Sequence, residues 1–239
     1  MNNNLFKMNN NFEIKVVNYN NYPIFIIDNF FENHHKILEW SKNINFKSEK
    51  EEGNYPGSRY SLRSNLPFAT ESIDIINQFY SRLNKNVKIF QNPLKSVISI
   101  TNIFTPNLTS NQINPHIDGY YTYAGIIYLN NEVNGGTGFY QSKLYNKNFA
   151  FRDWVPTNSK YNRTPCNEQK WPVYENDYWK LNKILKMKSN RGIFFWGNMF
   201  HSNFLNENFW KNKKIPRTTI NMFYKIKTND NIENDLKIN

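Results

Sequence analysis

The spacing of apolar positions changes near residue 96, and that change divides the chain. Before it, residues 30–44 (FFENHHKILEWSKNI) set Phe31, Ile37, Leu38 and Trp40 near helical spacing. Residues 70–85 repeat Ile73, Ile76, Phe79, Tyr80 and Leu83 at intervals of three and four. Both patterns predict amphipathic helices. A strand is expected at 23–27, and residues 47–60 (KSEKEEGNYPGSRY) read as a charged loop punctuated by Gly and Pro. After residue 96 the apolar runs are short: SVISITNIF, YAGIIYL, TGFYQ, GIFFWG and TTINMFYKI. They are rich in β-branched and aromatic residues and separated by Asn, Gly and Pro, which predicts strands. Helices followed by many strands predict an α+β chain, mainly β, whose strands close on themselves as a jelly roll or barrel.

A length of 239 residues suits one domain, placed at 12–227 with its β core over about 96–226. Residues 1–11 form an Asn-rich leader with few apolar side chains, expected to be disordered, and the polar tail 228–239 is expected to be loose. Residues 143–183 carry Trp154, Trp171 and Trp179 with Pro156, Pro165 and Pro172 but no clear period. A stretch of this length inside a compact domain is expected to be a lid or insertion.

Composition narrows the setting. The longest apolar stretches, such as 24–27 and 193–196, are far too short to span a bilayer, and residues 1–15 contain no signal-like apolar run. The expectation is a soluble, cytoplasmic protein without a membrane partner. The single cysteine, Cys166, excludes an internal disulfide and a multi-cysteine zinc site. The net charge of +11 raises a nucleic-acid partner. However, 23 of the 30 basic residues are Lys in a chain also rich in Asn, Ile, Phe and Tyr, the set that A/T-rich codons encode. Only 211–214 clusters them, so the charge alone does not define such a surface.

The chemistry-bearing residues are few. In Asn114-Pro115-His116-Ile117-Asp118-Gly119, an extended backbone would point His116 and Asp118 to the same face. Two histidines and one carboxylate on a single face suit iron(II) in oxygen-activating enzymes and leave open positions for co-substrate and O2. Four histidines are available: His34, His35, His116 and His201. His34 and His35 are adjacent in a predicted helix and diverge by about 100°, which leaves His201, after the strand GIFFWG, as the third ligand. Arg217 opens the last strand, where its guanidinium can take a carboxylate through two parallel hydrogen bonds. Thr219 lies two residues on, on the same face.

In order and spacing these pieces resemble the iron(II)- and 2-oxoglutarate-dependent oxygenase superfamily, and within it the prolyl-hydroxylase-like branch. The resemblance runs over about 96–226: His116-Ile117-Asp118, then Ile126-Ile127-Tyr128-Leu129-Asn130, Gly135-Gly136-Thr137-Gly138-Phe139-Tyr140, Gly192 to Trp196, His201-Ser202 and Arg217-Thr218-Thr219. Tyr55-Pro56-Gly57-Ser58-Arg59 is similar to a motif of small bacterial and phage members. The resemblance implies a double-stranded β-helix (jelly roll, cupin-like) with the N-terminal helices on its larger sheet. It implies Fe(II) held by His116, Asp118 and His201, and 2-oxoglutarate held by Arg217 and Thr219, with Tyr128 adding a hydroxyl nearby. The implied reaction is that of a dioxygenase: O2 converts the co-substrate to succinate and CO2 while a substrate C–H bond is hydroxylated.

Departures from related patterns refine this expectation. Asp118 is present where related halogenases lack the carboxylate. Arg217 stands where collagen-type prolyl hydroxylases carry Lys, which speaks against a prolyl substrate. Phe223 stands where nucleic-acid demethylases carry a second Arg. Tyr55, Arg59 and the Trp-rich stretch are candidates to line a substrate pocket. An amino acid, a peptide or protein, a glycan and a nucleic acid all remain open as substrates. The competing readings are a catalytically silent jelly roll that binds small molecules or glycans, and a nucleic-acid-binding module.

Overall fold

The computed structural model describes residues 3–47, 57–62, 65–91, 98–103, 114–130, 135–150, 174–205, 216–229 and 231–238. These residues form a mainly antiparallel β protein with few helices. Its larger sheet contains β1 (Glu13–Tyr19), β2 (Tyr22–Asp28), β3 (Ser58–Leu62), β4 (Val87–Phe90), β5 (Ile98–Ile103), β6 (Thr122–Tyr128), β9 (Arg191–Trp196) and β11 (Arg217–Thr228). The smaller sheet contains β7 (Gly135–Ser142), β8 (Trp179–Lys186) and β10 (His201–Leu205). The larger sheet runs β1-β2-β9-β6-β11-β5-β3, with β4 paired to the far end of β11, and the smaller runs β10-β7-β8.

β1 and β2 form a hairpin whose two-residue turn, Asn20-Asn21, has φ of 51° and 67°. Asn tolerates the left-handed conformation that such a turn needs at both central positions. β2 is buried along its whole length, and β9 at every position after Arg191, so both read as continuous apolar runs.

Helix α1 (His34–Ser41) is shorter than the expected 30–44. Phe30 and Phe31 are instead core residues that continue the chain out of β2, their amides donating to the Asn190 carbonyl and to Asn190 Oδ1. Helix α2 (Pro67–Arg82) starts at a proline, where the missing N–H costs nothing. It lies three residues before the expected 70–85 and buries Phe68, Ala69, Ser72, Ile73, Ile76 and Tyr80; of the expected face, Ile73, Ile76 and Tyr80 are buried, Phe79 is half-buried, and Leu83, past the helix end, is exposed. That face meets the larger sheet: the rings of Phe25 and Phe79 lie 4.9 Å apart edge to face, and the Ser72 and Tyr224 hydroxyls are 3.3 Å apart.

Both chain ends differ from expectation. Within the leader expected to be disordered, the described residues from 3 onward are docked: Phe6 is fully buried against Phe31, Trp40 and Phe68, and Met8 bridges Phe31. The tail contains α3 (Ile232–Leu236), capped by the Asn231 side chain and anchored by buried Ile232 and Leu236. One or two apolar anchors per segment suffice to dock an end that has no periodicity to announce it. Strands β1, β3, β4 and β8 were also not expected. β3 takes the end of the predicted 47–60 loop, and β8 takes part of the 143–183 stretch, whose residues 151–173 lie outside the described residues.

Asp28 ends β2 at 3% exposure, where Arg191 grips it with two hydrogen bonds, Nε to Oδ1 at 2.6 Å and Nη2 to Oδ2 at 2.8 Å, and Lys188 adds a third at 3.3 Å. The hydrogen bond from Arg191 is the main reason this carboxyl is held below its ordinary range; burial opposes the shift but does not reverse it. Asp28→Asn is expected to cost about 3 kcal/mol, the lower end for breaking a buried pair, because Arg191 keeps some contact with water. Urea unfolding at pH 7 measures it. Since the folded carboxyl is depressed, the pair stabilises above the unfolded value of about 3.9 and this contribution is lost as pH falls through the lower folded value. The gap between wild type and variant should therefore close in acid.

Candidate metal centre

The segment before β6 and the start of β10 are joined at the two histidines themselves. His116 N donates to His201 O and His201 N donates to His116 O, both at 2.9 Å. Residues paired in this way face each other across an antiparallel ladder with side chains on the same side, and the two imidazole centroids lie 4.6 Å apart. Asp118 follows two residues after His116, and its amide donates to the Gly197 carbonyl at 2.7 Å. Gly119, with φ of +135°, then turns the chain into β6. Asp118 Oδ2 lies 3.3 Å from His201 Nε2, and Oδ1 lies 4.0 Å from His116 Nε2.

One ligand atom from each of His116, Asp118 and His201 falls within 4.8 Å of the others. The far side of each imidazole is committed. His116 Nδ1 lies 3.3 Å from the Asn114 carbonyl and His201 Nδ1 lies 2.9 Å from the Met199 carbonyl. A proton on each Nδ1 leaves Nε2 with its lone pair toward the cluster, the tautomer that a metal requires. Phe195 stands edge to face against His201 with centroids 4.8 Å apart, shielding it from solvent. His116 is the accessible ligand, its side chain 44% exposed against 6% for His201.

The cluster is electrostatically coupled. His116 is pushed down to about 4, chiefly by desolvation among the surrounding protein atoms even though part of the ring opens to the pocket, and then by the neighbouring His201. For His201, burial works against protonation, yet the charge and hydrogen bond of Asp118 outweigh it and raise the imidazole above its ordinary value. Asp118 is held low in spite of burial, by His201 first, then His116 and the more distant Arg59 guanidinium. Asp118 is thus a charged carboxylate between two ring nitrogens, a donor set suited to a divalent cation of intermediate softness.

A pocket of about 590 Å³, counting its mouth, opens beside the cluster between the two sheets; Thr101, Thr219 and Asn221 come from the larger, Thr137 and Ser202 from the smaller. Arg217 lies in its wall at 2% exposure. Its Nη2 donates to the Gly136 carbonyl at 3.4 Å and the guanidinium also interacts with the Tyr128 hydroxyl, while its buried Nε has no hydrogen-bond partner among the described residues. Its guanidinium carbon lies 5.4 Å from the Tyr128 ring centroid. Leaving Nε of a buried guanidinium unsatisfied is costly, and a carboxylate entering the pocket would supply the missing acceptor. Thr219 is fully buried beside it, opposite Tyr128 in the register. The Tyr128 hydroxyl itself is engaged with Thr137 Oγ1 at 2.7 Å.

The sequence reading missed Asn130 as a positioning residue. Its side chain brackets Arg217: Oδ1 accepts from the Thr218 amide at 3.0 Å and Nδ2 donates to the Pro216 carbonyl. The Tyr128-Leu129-Asn130 run named the residue without revealing this contact. Of the candidate substrate residues, Arg59 on β3 lines the pocket at 6% exposure, and Tyr55 lies outside the described residues. His34 and His35 stand at the start of α1 and take no part in the cluster.

Fold and site define an antiparallel β protein with a two-histidine, one-carboxylate cluster open to a pocket that holds a buried guanidinium. The chain belongs to the family described as Family of unknown function (DUF6445), which it matches over residues 8–224. No curated protein matches the sequence. Among solved structures it is similar to HygX from Streptomyces hygroscopicus with nickel and 2-oxoglutarate bound, at 10% identity and a TM-score of 0.45, covering 86% of this chain and 83% of that one. It is also similar to the non-heme alpha ketoglutarate dependent epimerase SnoN from nogalamycin biosynthesis, at 9% identity and a TM-score of 0.41, covering 89% and 83%.

Proposed function

We propose that this protein is an Fe(II)- and 2-oxoglutarate-dependent oxygenase on a double-stranded β-helix, a jelly roll of the cupin type, acting in the cytoplasm as a hydroxylase of a substrate C–H bond. The observation that carries this reading is the joint placement of His116, Asp118 and His201 with Arg217 around one pocket. A metal cluster alone would fit many chemistries, and a lone buried arginine would fit any anion. Their combination suits a co-substrate that chelates metal at one end and carries a carboxylate at the other. The order of motifs along the chain supports the prolyl-hydroxylase-like branch.

Iron, 2-oxoglutarate and O2 together supply the oxidising chemistry, releasing succinate and CO2. The chain's own groups position the reactants. His116 and His201 present Nε2 lone pairs because backbone carbonyls occupy their Nδ1 positions, and Asp118 offers its carboxylate from the turn at Gly197. Arg217 pairs with the distal carboxylate of the co-substrate, and the Thr219 hydroxyl donates to the same group. Phe195 and Phe139 flank His201 and keep water from that side.

The test is anaerobic addition of Fe(II) and 2-oxoglutarate, which should produce a weak visible charge-transfer band that neither component gives alone. A wild-type protein that binds Fe(II) but shows no band and no 2-oxoglutarate affinity would remove the co-substrate from the reading. Asn130→Ala is expected to weaken 2-oxoglutarate binding by about tenfold, the equivalent of one or two lost hydrogen bonds, while metal affinity stays the same. Calorimetry with Mn(II)-loaded protein separates the two affinities.

A further inference from the structure

Strand β1 ends the larger sheet: it pairs with β2, and among the described residues no strand or bridge lies on its other side. Which of its backbone groups point that way follows from the hairpin. Asn18 lies opposite Pro23, and proline has no N–H to give, so this pair is of the non-hydrogen-bonded kind. The two-residue turn agrees, because it closes on a hydrogen-bonded pair, Tyr19 with Tyr22. The two kinds of pair alternate along an antiparallel ladder. Glu13, Lys15, Val17 and Tyr19 therefore exchange hydrogen bonds with β2, while Ile14, Val16 and Asn18 aim their backbone N–H and C=O groups outward.

The side chains of this edge are open as well. Ile14 and Val16, on one face, are 41% and 37% exposed. Glu13 and Lys15, on the other face, are exposed, and among the described residues neither has an ion-pair partner. An unpaired edge is a template for another strand, and the chain's own β1 fits it in one register. In a two-fold antiparallel pairing with Ile14 on the axis, the outward groups of Ile14 meet those of its copy and the outward groups of Val16 meet residue 12. Glu13 then stands opposite Lys15 twice, in non-hydrogen-bonded pairs, where side chains approach most closely. Moving the axis by one residue sets Glu13 against Glu13 or Lys15 against Lys15. A lysine alone on an edge keeps copies apart; Glu13, two residues earlier, turns that repulsion into a match. On the opposite face the same register gathers Ile14 and Val16 of both copies into one apolar patch.

We propose that β1 is a self-association edge, on which a second copy of this chain pairs two-fold through residues 12–16 so that the larger sheets of the two copies run on as one. The interface is isologous, each copy giving and receiving the same contacts, and it uses strand addition, with backbone hydrogen bonds for affinity and the Glu13–Lys15 pairs for register. A short stretch of strand makes a small interface, so the dimer is reversible and concentration-dependent. It is independent of what the pocket binds.

The experiment is sedimentation equilibrium of the full-length chain without metal or co-substrate, so that its outcome is separate from that of the charge-transfer test. The expected result is a rise from one chain's mass toward two as concentration increases. Ile14→Pro removes a donor that β2 does not use, a change an edge strand tolerates, and should weaken association by about tenfold or more. Lys15→Glu sets carboxylate against carboxylate at both sites and should weaken it about fivefold. That substitution also lowers the net charge of +11, which on overall charge alone would favour association. Glu13→Lys combined with Lys15→Glu restores opposite charges in the same register and should return the affinity to within about twofold of wild type. A chain that stays monomeric throughout the micromolar range, or a dimer that all three variants leave unchanged, overturns the proposal. Should Ile14→Pro not fold by circular dichroism, Lys15→Glu and the double exchange decide, and a weakening that the exchange does not restore overturns it equally.

Discussion

Replacing His201 with alanine is expected to eliminate the Fe(II)·2-oxoglutarate absorption band and to weaken divalent-metal binding by roughly 100-fold or more. Loss of a residue that merely orients a ligand already costs about 10–100-fold, and His201 is proposed as a ligand. Three features make it the most demanding of the three positions. It is the most buried, it is hydrogen-bonded at Nδ1 to Met199 O, and it lies closest to the Asp118 carboxylate. Removing its imidazole leaves Asp118 charged, buried and without its main partner. His116→Ala should also abolish the band, but with less damage to the fold, because that ring is the accessible one. Both variants retain the backbone bridge between residues 116 and 201, so circular dichroism should show an intact β protein. If either alanine variant binds metal as the wild type does, the proposed ligand set is wrong.

Arg217→Ala is expected to reduce 2-oxoglutarate affinity by roughly 30-fold to several thousand-fold, the equivalent of about 2–5 kcal/mol for removing one member of a buried charge pair. Metal affinity should be nearly unchanged. The guanidinium already lies buried with Nε unsatisfied, so it meets the ligand without reorganising. Arg217→Lys should recover only part of the loss: an ammonium keeps the charge but lacks the planar fork. The comparison of the two variants separates charge from geometry. Calorimetry with Mn(II)-loaded protein reads both affinities, and an Arg217→Ala protein with wild-type co-substrate affinity would contradict the assignment.

The parts of the fold that could be read from the sequence are those whose burial repeats. α2 was visible because Ile73, Ile76 and Tyr80, three of its six buried residues, recur at intervals of three and four, and β6, β9 and β11 because buried strands become dense apolar runs. β1 escaped because it is a sheet edge with most side chains in water, and β8 because its exposed lysines break the pattern. The docked leader depends on Phe6 and the docked tail on Ile232 and Leu236, contacts that exist only once the sheet and helices are assembled.

The site shows the same division. An His-x-Asp spacing carries its own geometry, since two residues along an extended chain is one face. The pairing of His116 with His201 carries none: nothing near either residue names the other, and the choice depended on the scarcity of histidines. Asn130 could not have been singled out, because its contacts are to the backbone of residues 216 and 218, and backbone is the same whatever the sequence. Arg59 was suggested only by a short motif; its place in one cross-strand row with Thr101, Thr219 and Tyr128 comes from strand register.

The backbone bridge between the two histidines has a consequence for how the molecule comes apart. β6, β7, β8 and β9 all lie in the stretch of chain between them. A cation held by both imidazoles would be a clasp on that loop, fastening its two ends at a spot where they already touch. Peeling away the smaller sheet would then first require the clasp to open, so the part of the protein that shapes the pocket would hold together most firmly when the pocket is equipped to work.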